Sequence, residues 1–106
     1  MFKVVFLIKR KAGVSRDEFM KHWTGHHRDM AMKLPGIRHY TQRHLTSMPN
    51  MADFDGIAEL TFDSQDAYLE SRASAKFNAA YDDGHKFVDL AGMVIVPVIK
   101  EVSESI

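Results

Sequence analysis

The chain of 106 residues carries 14 Lys plus Arg against 14 Asp plus Glu, and it contains no cysteine. Because it lacks the broad positive field of nucleic-acid-binding proteins, we expect no nucleic-acid partner. The absence of cysteine excludes disulfides, thiolate metal sites and a cysteine nucleophile, and it suits a reducing cytoplasm, where we expect the protein to work. The length fits a single domain over 1–106.

The chain opens on a short apolar run over residues 2–9, whose two alternating faces are both apolar. This pattern predicts a strand that is covered on both sides. The run is too short for a membrane span or a signal peptide, so we expect no membrane partner. Ser15 and Glu18 then form a capping box that opens a helix. The helix is predicted to run to about Leu34, because the Pro-Gly pair that follows stops it.

Strands and one further helix follow along the rest of the chain. The sequence Asp82-Asp83-Gly84 is predicted to break the second helix. The predicted elements are, in order, a strand over 37–45, a loop over 46–55, a strand over 56–62, a helix over 64–80, a short helical turn near 85–91 and a strand over 93–102. The order β-α-β-β-α-β is the ferredoxin-like pattern, an α+β fold with a four-stranded antiparallel sheet and two helices on one face.

The last predicted strand is apolar on both faces. Val94 and Val96 share one phase, while Met93 and Ile95 share the other. Two helices cover only one face of the sheet, and a second copy of the chain is the simplest cover for the other face. We therefore predict a homodimer. Pro97 cannot donate to a strand ladder, which places this strand at an edge or at a bulge.

One face of the first helix combines an imidazole with large apolar side chains. At about 100° for each residue, five side chains fall within one stripe: Phe19, Trp23, His27, Met30 and Leu34. Burial favours the neutral form of an imidazole, and a neutral imidazole beside an apolar pocket is a competent general base. His27 is therefore a candidate base. The alternative is a core histidine bonded to a backbone carbonyl.

His22 and His26 are four residues apart, the spacing at which two imidazoles on one helix can share a metal ion. They lie toward the polar edge of the stripe, and His27 points about 100° away from His26. The three histidines are therefore not expected to converge, and no obvious carboxylate on the same helix face completes a ligand set. We predict two solvated histidines and no metal site.

Four other polar residues are candidates for a site. Tyr40 and Glu59 lie on predicted strands, where they can line a pocket or form a polar network at the dimer interface. Asp83 and His85 follow the second helix, where they can lend an acid or a base to the mouth of a pocket or form a polar turn. Both interpretations remain open for each pair.

Several of these residues recur in the order that is typical of a known family. The pieces are Phe19-x-x-x-Trp23-x-x-x-His27, Leu34-Pro35-Gly36-Ile37-Arg38-x-Tyr40, Phe54-Asp55-Gly56-Ile57-Ala58-Glu59-Leu60-x-Phe62 and Lys86-Phe87-Val88-Asp89. Together they resemble the EthD family over nearly the whole chain. The resemblance implies a dimeric α/β barrel, in which two ferredoxin-like sheets pack face to face. The sequence departs from the usual family pattern at Thr24-Gly25-His26 and at Arg28-Asp29, on either side of His27.

The EthD family is linked to bacterial breakdown of ethyl tert-butyl ether beside a cytochrome P450 system, and relatives in polyketide pathways are linked to dehydration or decarboxylation of aromatic intermediates. With these implications, the residues predict a lyase or isomerase that needs no cofactor and acts on a small apolar or aromatic carbonyl compound. Tyr40 would donate to a developing enolate or phenolate. The candidate catalytic residues are His27, Tyr40, Asp83 and His85. The candidate ligand-binding residues are Phe19, Trp23, Met30, Glu59, Phe77 and Phe87.

Two other functions stay open alongside this prediction. One is a non-enzymatic accessory protein of an oxygenase system, which binds a hydrophobic small molecule without converting it. The other is a haem-binding or oxygenase relative, since the same barrel fold hosts such enzymes. Turnover by the purified protein separates the first alternative from an enzyme, and a Soret band on haem titration that is lost in His27→Ala tests the second.

Overall fold

Four strands form one antiparallel sheet in the computed structural model, which describes residues 1–106. The strands are β1 (Phe2–Ile8), β2 (His39–His44), β3 (Gly56–Phe62) and β4 (Val94–Val98). Their order across the sheet is β2-β3-β1-β4. This arrangement confirms the predicted ferredoxin-like fold. The bounds of β3 are those predicted, whereas β4 ends four residues earlier than predicted because Val98 already pairs with Lys3, near the start of β1.

The helices lie on one face of the sheet. They are α1 (Arg16–His22), a π-helical turn (Trp23–His27), α2 (Arg28–Ala31), α3 (Gln65–Arg72), α4 (Ala75–Gly84) and a 3₁₀ turn (Leu90–Gly92). None of them combines the length and the hydropathy that crossing a membrane requires. The helical turn predicted near 85–91 is thus the 3₁₀ turn, which begins only at Leu90.

The first helix differs from the prediction of a continuous α-helix to Leu34. The N–H of Arg28 donates to the carbonyl of Trp23, five residues earlier, which is the π-helical pattern. Weak helix formers accompany this turn: the hydroxyl of Thr24 donates to the carbonyl of Met20 at 2.7 Å, a bond that competes with regular helix, and Gly25 has a low helix propensity. The extra residue in the turn changes which side chains of the helix face inward.

Two helices replace the single helix predicted over 64–80. α3 ends at Arg72, and Ser74 begins α4 because its Oγ accepts the N–H of Phe77 at 3.1 Å. α4 then continues through Gly84, so the predicted break at Asp82-Asp83-Gly84 is wrong. The new cap restarts the helix late enough for it to include these residues. As a consequence, Asp83 projects from the last turn of α4 rather than from a loop.

β4 is an edge strand, paired only with β1, which confirms the position expected from Pro97. Opposite residues of paired strands share a face of the sheet. Val96 stands opposite Val5, and Val5 stands opposite Glu59, so these side chains share the face that carries no helix. We call this the open face, and its central members are Lys3, Val5, Leu7, Arg43, Ile57, Glu59, Val94 and Val96. Val94 and Val96 are 42% and 41% exposed.

Candidate active site

A cavity of about 100 Å³ lies between the sheet and the helices. Fifteen of its 17 lining residues are hydrophobic. The side chains that bring nitrogen or oxygen atoms to its wall are Trp23, His27, Tyr40 and Tyr81. An apolar cavity of about 150 Å³ holds a benzene molecule. The cavity is smaller than this, so it has room for no more than a single small ring, with few polar groups to orient it.

Trp23 forms one wall of the cavity and is 1% exposed. Its indole lies against Gly56, the first residue of β3. A glycine at this point permits the close approach, since a Cβ atom there would lie 2.5 Å from two carbons of the indole ring. The ring of Phe19 packs behind Trp23 at 5.4 Å between centroids. Trp23 is thus fixed by the bare backbone of the sheet on one side and by the helix core on the other.

A buried carboxylate and two imidazoles meet beside this cavity. The Oδ2 atom of Asp83 lies 2.9 Å from Nδ1 of His27 and 2.9 Å from Nε2 of His22. Asp83 comes from α4, and its side chain is only 3% exposed. Both rings pack on Phe87, at 4.7 Å for His22 and 5.0 Å for His27. The site is therefore a hydrogen-bonded His-Asp-His cluster that packs on the aromatic wall of the cavity.

The predictions for His22 and for the separation of the histidines are wrong, and the π-helical turn is the reason. Residues five apart lie about 140° apart around an α-helix, but a π-helical turn brings the sixth residue over the first. His22 and His27 therefore reach the same oxygen. His22 is 28% exposed and bonded, whereas His26 is 62% exposed, as expected, with Nε2 3.7 Å from Oδ1 of Asp83. No group of three or more His, Asp or Glu residues has the arrangement of a metal site.

Burial sets the protonation of His27. It lowers the pKa of the His27 imidazole more than the Asp83 carboxylate raises it, and this shift favours the neutral form. Burial alone would raise the pKa of Asp83, but the hydrogen bonds and charges of His27 and His22 lower it overall. A carboxylate only accepts hydrogen bonds, so both contacting nitrogens donate to it. The neutral His27 ring then carries its proton on Nδ1, and its Nε2 atom keeps a free lone pair.

Tyr40 carries the second polar group of the cavity. Its hydroxyl oxygen accepts a hydrogen bond from Nε2 of Gln42 at 2.9 Å, and the same nitrogen donates to the carbonyl of Trp23 at 2.8 Å. His44 contacts the amide oxygen of Gln42 at 3.3 Å and orients it. Burial raises the pKa of Tyr40, so the phenol keeps its proton. The hydroxyl accepts in its hydrogen bond with Gln42, so its proton remains available for donation to a ligand.

Gln42 and His44 are site residues that the sequence places on one face of the second strand with Tyr40 but does not assign to a pocket. The available signal was their alternation with Tyr40 on one strand, which places the three side chains on one face. That alternation was compatible with either face of the sheet. The helix-facing side follows only from the pairing of β2 with β3, in which Tyr40 stands opposite Leu60 in the core.

The remaining predicted site residues divide into three groups. Phe77 and Phe87 line the cavity, and Met30 and Phe19 pack in the surrounding core without lining it. Glu59 lies on the open face, away from the cavity, where it binds Lys3 at 2.9 Å and Arg43 at 2.6 Å. These cations, Lys3 first, lower the pKa of Glu59. Because Glu59 and the cavity lie on opposite faces of the sheet, Glu59 has no place in the candidate site.

His85 also lies apart from the His-Asp-His cluster. Its exposed ring meets that of Tyr81 edge to face at 5.1 Å, and its carbonyl accepts a hydrogen bond from Lys11. Tyr81 lines the outer part of the cavity, so His85 touches the site only through this ring. Of the four residues predicted to be catalytic, the structure joins His27 and Asp83 directly and brings Tyr40 to the same cavity.

Residues 11–91 match the family model of the EthD domain. The chain belongs to the EthD family. No curated protein matches the chain. An EthD family protein from Bacillus halodurans is similar in structure, with a TM-score of 0.79 and 16% identity, covering 95% of this chain and 100% of the other. At this level of identity the likeness shows the fold and not the activity.

Two further solved structures share the fold. One is a dimeric ferredoxin-like protein of unknown function from Thermobifida fusca, with a TM-score of 0.70 and 14% identity, covering 92% of this chain and 88% of the other. The other is a variant of SnoaB, a cofactor-independent oxygenase from Streptomyces nogalater, with a TM-score of 0.68 and 13% identity, covering 96% and 94%. The ferredoxin-like fold of this EthD chain thus occurs in both kinds of protein.

Proposed function

We propose that this EthD protein is an enzyme that needs no cofactor and removes a proton from a small apolar or aromatic carbonyl compound, as a lyase or isomerase. The observation that carries the proposal is the hydrogen bond from His27 to the buried carboxylate of Asp83. It assigns the Nδ1 proton and leaves Nε2 as the basic atom of a residue that lines an apolar cavity. An orienting carboxylate plays this part for the base in hydrolytic triads.

The proposed reaction begins with transfer of a proton from the carbon next to the ligand carbonyl to Nε2 of His27. The electron pair of that C–H bond forms a C=C bond, and the carbonyl oxygen becomes an enolate that accepts a hydrogen bond from Tyr40. The imidazolium then returns the proton. Return to a different carbon isomerises the compound, whereas return to a leaving hydroxyl on the next carbon releases water.

The size and lining of the cavity define the ligand class. A volume of about 100 Å³ with 15 hydrophobic lining residues limits the ligand to one small ring with a single oxygen group. Phe77 and Phe87 offer aromatic surfaces for such a ring. A haem, whose macrocycle is several times the size of one ring, does not fit this cavity.

Two measurements test the proposed function. Native mass spectrometry of the purified protein identifies a compound that it carries, and NMR in D₂O follows exchange of the hydrogens next to the carbonyl of cyclohexanone, a one-ring ketone. We expect exchange above the buffer rate and a loss of about 10²- to 10⁴-fold in His27→Gln. If the carried compound stays unchanged and no ketone exchanges, the protein is instead a binding protein for that compound.

A second proposal concerns assembly, and it rests on the open face. Here apolar side chains of β1, β3 and β4 surround the buried Glu59, which two cations hold. A second copy that packs the same face against it would cover the valines of β4 and pair the two sheets. The related protein from Thermobifida fusca is dimeric. Light scattering during size-exclusion chromatography tests the homodimer, and a stable monomer at micromolar concentration would refute it.

A further inference from the structure

His22 shares a single oxygen atom with the proposed base. Its Nε2 atom and Nδ1 of His27 both lie 2.9 Å from Oδ2 of Asp83, although the two histidines are five residues apart. A regular α-helix separates such residues by about 140°. The π-helical turn at Trp23–His27 is therefore what brings both rings to one carboxylate. Such turns are rare and recur at functional sites.

The surroundings of Asp83 leave the two histidines as its hydrogen-bonding partners. Its Oδ1 atom is buried and accepts no hydrogen bond. The basic side chains nearest to Oδ1, His26 at 3.7 Å and Lys86 at 3.5 Å, are exposed and lie beyond good hydrogen-bond geometry. The orientation of the carboxylate thus depends on the donors from His22 and His27. With His22 absent, His27 alone would have to hold the carboxylate.

We propose that His22 is a positioning residue: its Nε2–H fixes the Asp83 carboxylate so that the carboxylate accepts a hydrogen bond from Nδ1–H of His27 and Nε2 of His27 stays basic. The inference rests on the proposed function, since the tautomer matters only for a base that acts through Nε2. A hydrogen bond to one ring nitrogen determines which nitrogen carries the proton. His22 reaches the ligand through no contact of its own, because it does not line the cavity.

Three variants separate hydrogen bonding from packing. His22→Phe keeps a ring against Phe87 but removes the donor. His22→Gln keeps an N–H donor on a flexible side chain that can reach Asp83. His26→Gln is the control, because His26 lies on the same helical segment, 3.7 Å from Oδ1 of Asp83, but makes no hydrogen bond to it.

The readout is the tautomer of His27 in ¹⁵N-labelled protein, measured by long-range ¹H–¹⁵N NMR above the ordinary histidine pKa of about 6.5. The signals of His27 are assigned by their loss in His27→Gln. We expect the Nδ1–H form in the wild type, in His22→Gln and in His26→Gln, and a shift to mainly the Nε2–H form in His22→Phe. Retention of the Nδ1–H form in folded His22→Phe would overturn the proposal. If that variant does not fold, His22→Leu takes its place.

The tautomer is measured without a ligand, so this result is separable from the proposed function. If His27→Gln leaves ketone exchange unchanged, the proposed function fails, even where the tautomer measurement shows that His22 sets the tautomer of His27. If ketone exchange depends on His27 but the tautomer of His27 is the same in His22→Phe as in the wild type, only the positioning role fails. If the proposed function and the positioning role both hold, His22→Phe lowers kcat for ketone exchange while KM stays near the wild-type value. His22→Gln then keeps kcat near the wild-type value.

Discussion

Trp23 packs so closely over Gly56 that a Cβ atom on Gly56 would lie 2.5 Å from its ring. The relationship joins the middle of the first helix to the beginning of β3, two elements that are distant in sequence. It fixes the indole as a wall of the cavity and leaves the carbonyl of Trp23 within 2.8 Å of Gln42. The same contact therefore influences both the shape of the cavity and the hydrogen bonds of Tyr40.

Gly56→Ala should destabilise the protein by about 1–3 kcal/mol, because the added methyl group overpacks a buried contact. The free energy of unfolding in urea measures the effect. Gly25→Ala is the matched control, since nothing lies within 4 Å of its Cβ position. Alanine has the better helix propensity, so this control should be as stable as the wild type or up to about 1 kcal/mol more stable. Equal stability of the two variants would contradict the close contact.

Stability should fall as the pH decreases from about 6.5, the ordinary pKa of histidine. The folded protein lowers the pKa of His27, so between the folded and unfolded values the unfolded chain binds the extra proton and protonation favours unfolding. One such group contributes at most about 1.4 kcal/mol for each pH unit. Asp83, whose pKa is also lowered, adds a second loss below its unfolded value of about 3.9.

Urea unfolding across this pH range measures the effect, and His27→Gln should flatten the part of the dependence that begins near pH 6.5. His26→Gln is the control, because His26 is exposed and makes no hydrogen bond to Asp83. A wild-type stability that stays constant from neutral pH to mildly acidic pH would show that His27 is not held neutral by the fold.

The sequence was sufficient for the fold because local signals and burial agree there. The helix cap at Ser15, the alternating apolar residues of β3 and the proline of β4 each determine a feature that the structure contains. The site was harder to predict from the sequence, because its geometry depends on a departure from α-helical periodicity. A spacing of 100° for each residue correctly turns His27 inward but also turns His22 away. No residue pattern predicted that Asp83, 56 positions after His27, bonds to the rings of both His22 and His27.

Glu59 shows a different limit of the sequence. Its alternation along β3 is compatible with either face of the sheet, and only the pairing of all four strands decides between them. Glu59 stands between Thr41 and Val5 on the open face. The sequence leaves open whether Glu59 is a pocket residue or an interface residue. Its position on the open face favours the interface.

A charge on the open face should prevent dimerisation. Val96→Asp introduces a carboxylate at a position that is 41% exposed in the single chain, and the proposed dimer would bury it without a partner. Light scattering should then give the monomer mass. Leu69→Asp is the matched control, because Leu69 is 46% exposed on α3, on the helix-covered side of the sheet. A dimer that persists in Val96→Asp at micromolar concentration would place the interface elsewhere.

Removal of one hydroxyl tests the role proposed for Tyr40. Tyr40→Phe keeps the ring in the cavity wall, and Gln42 keeps its hydrogen bond to the carbonyl of Trp23, so the fold should be retained. The enolate would lose its donor, and exchange of the hydrogens of cyclohexanone should slow by about 10²- to 10³-fold, the usual effect of deleting one oxyanion donor.

Tyr81→Phe provides the matched comparison, since Tyr81 also lines the cavity but is 49% exposed and packs its ring on His85. Its exchange rate should stay near the wild-type rate. If Tyr40→Phe and Tyr81→Phe slow ketone exchange equally, the loss reflects a general change in the cavity and Tyr40 is not a specific donor. If only Tyr40→Phe slows exchange and leaves the affinity for the ketone unchanged, the hydroxyl acts on the transition state and not on ligand binding.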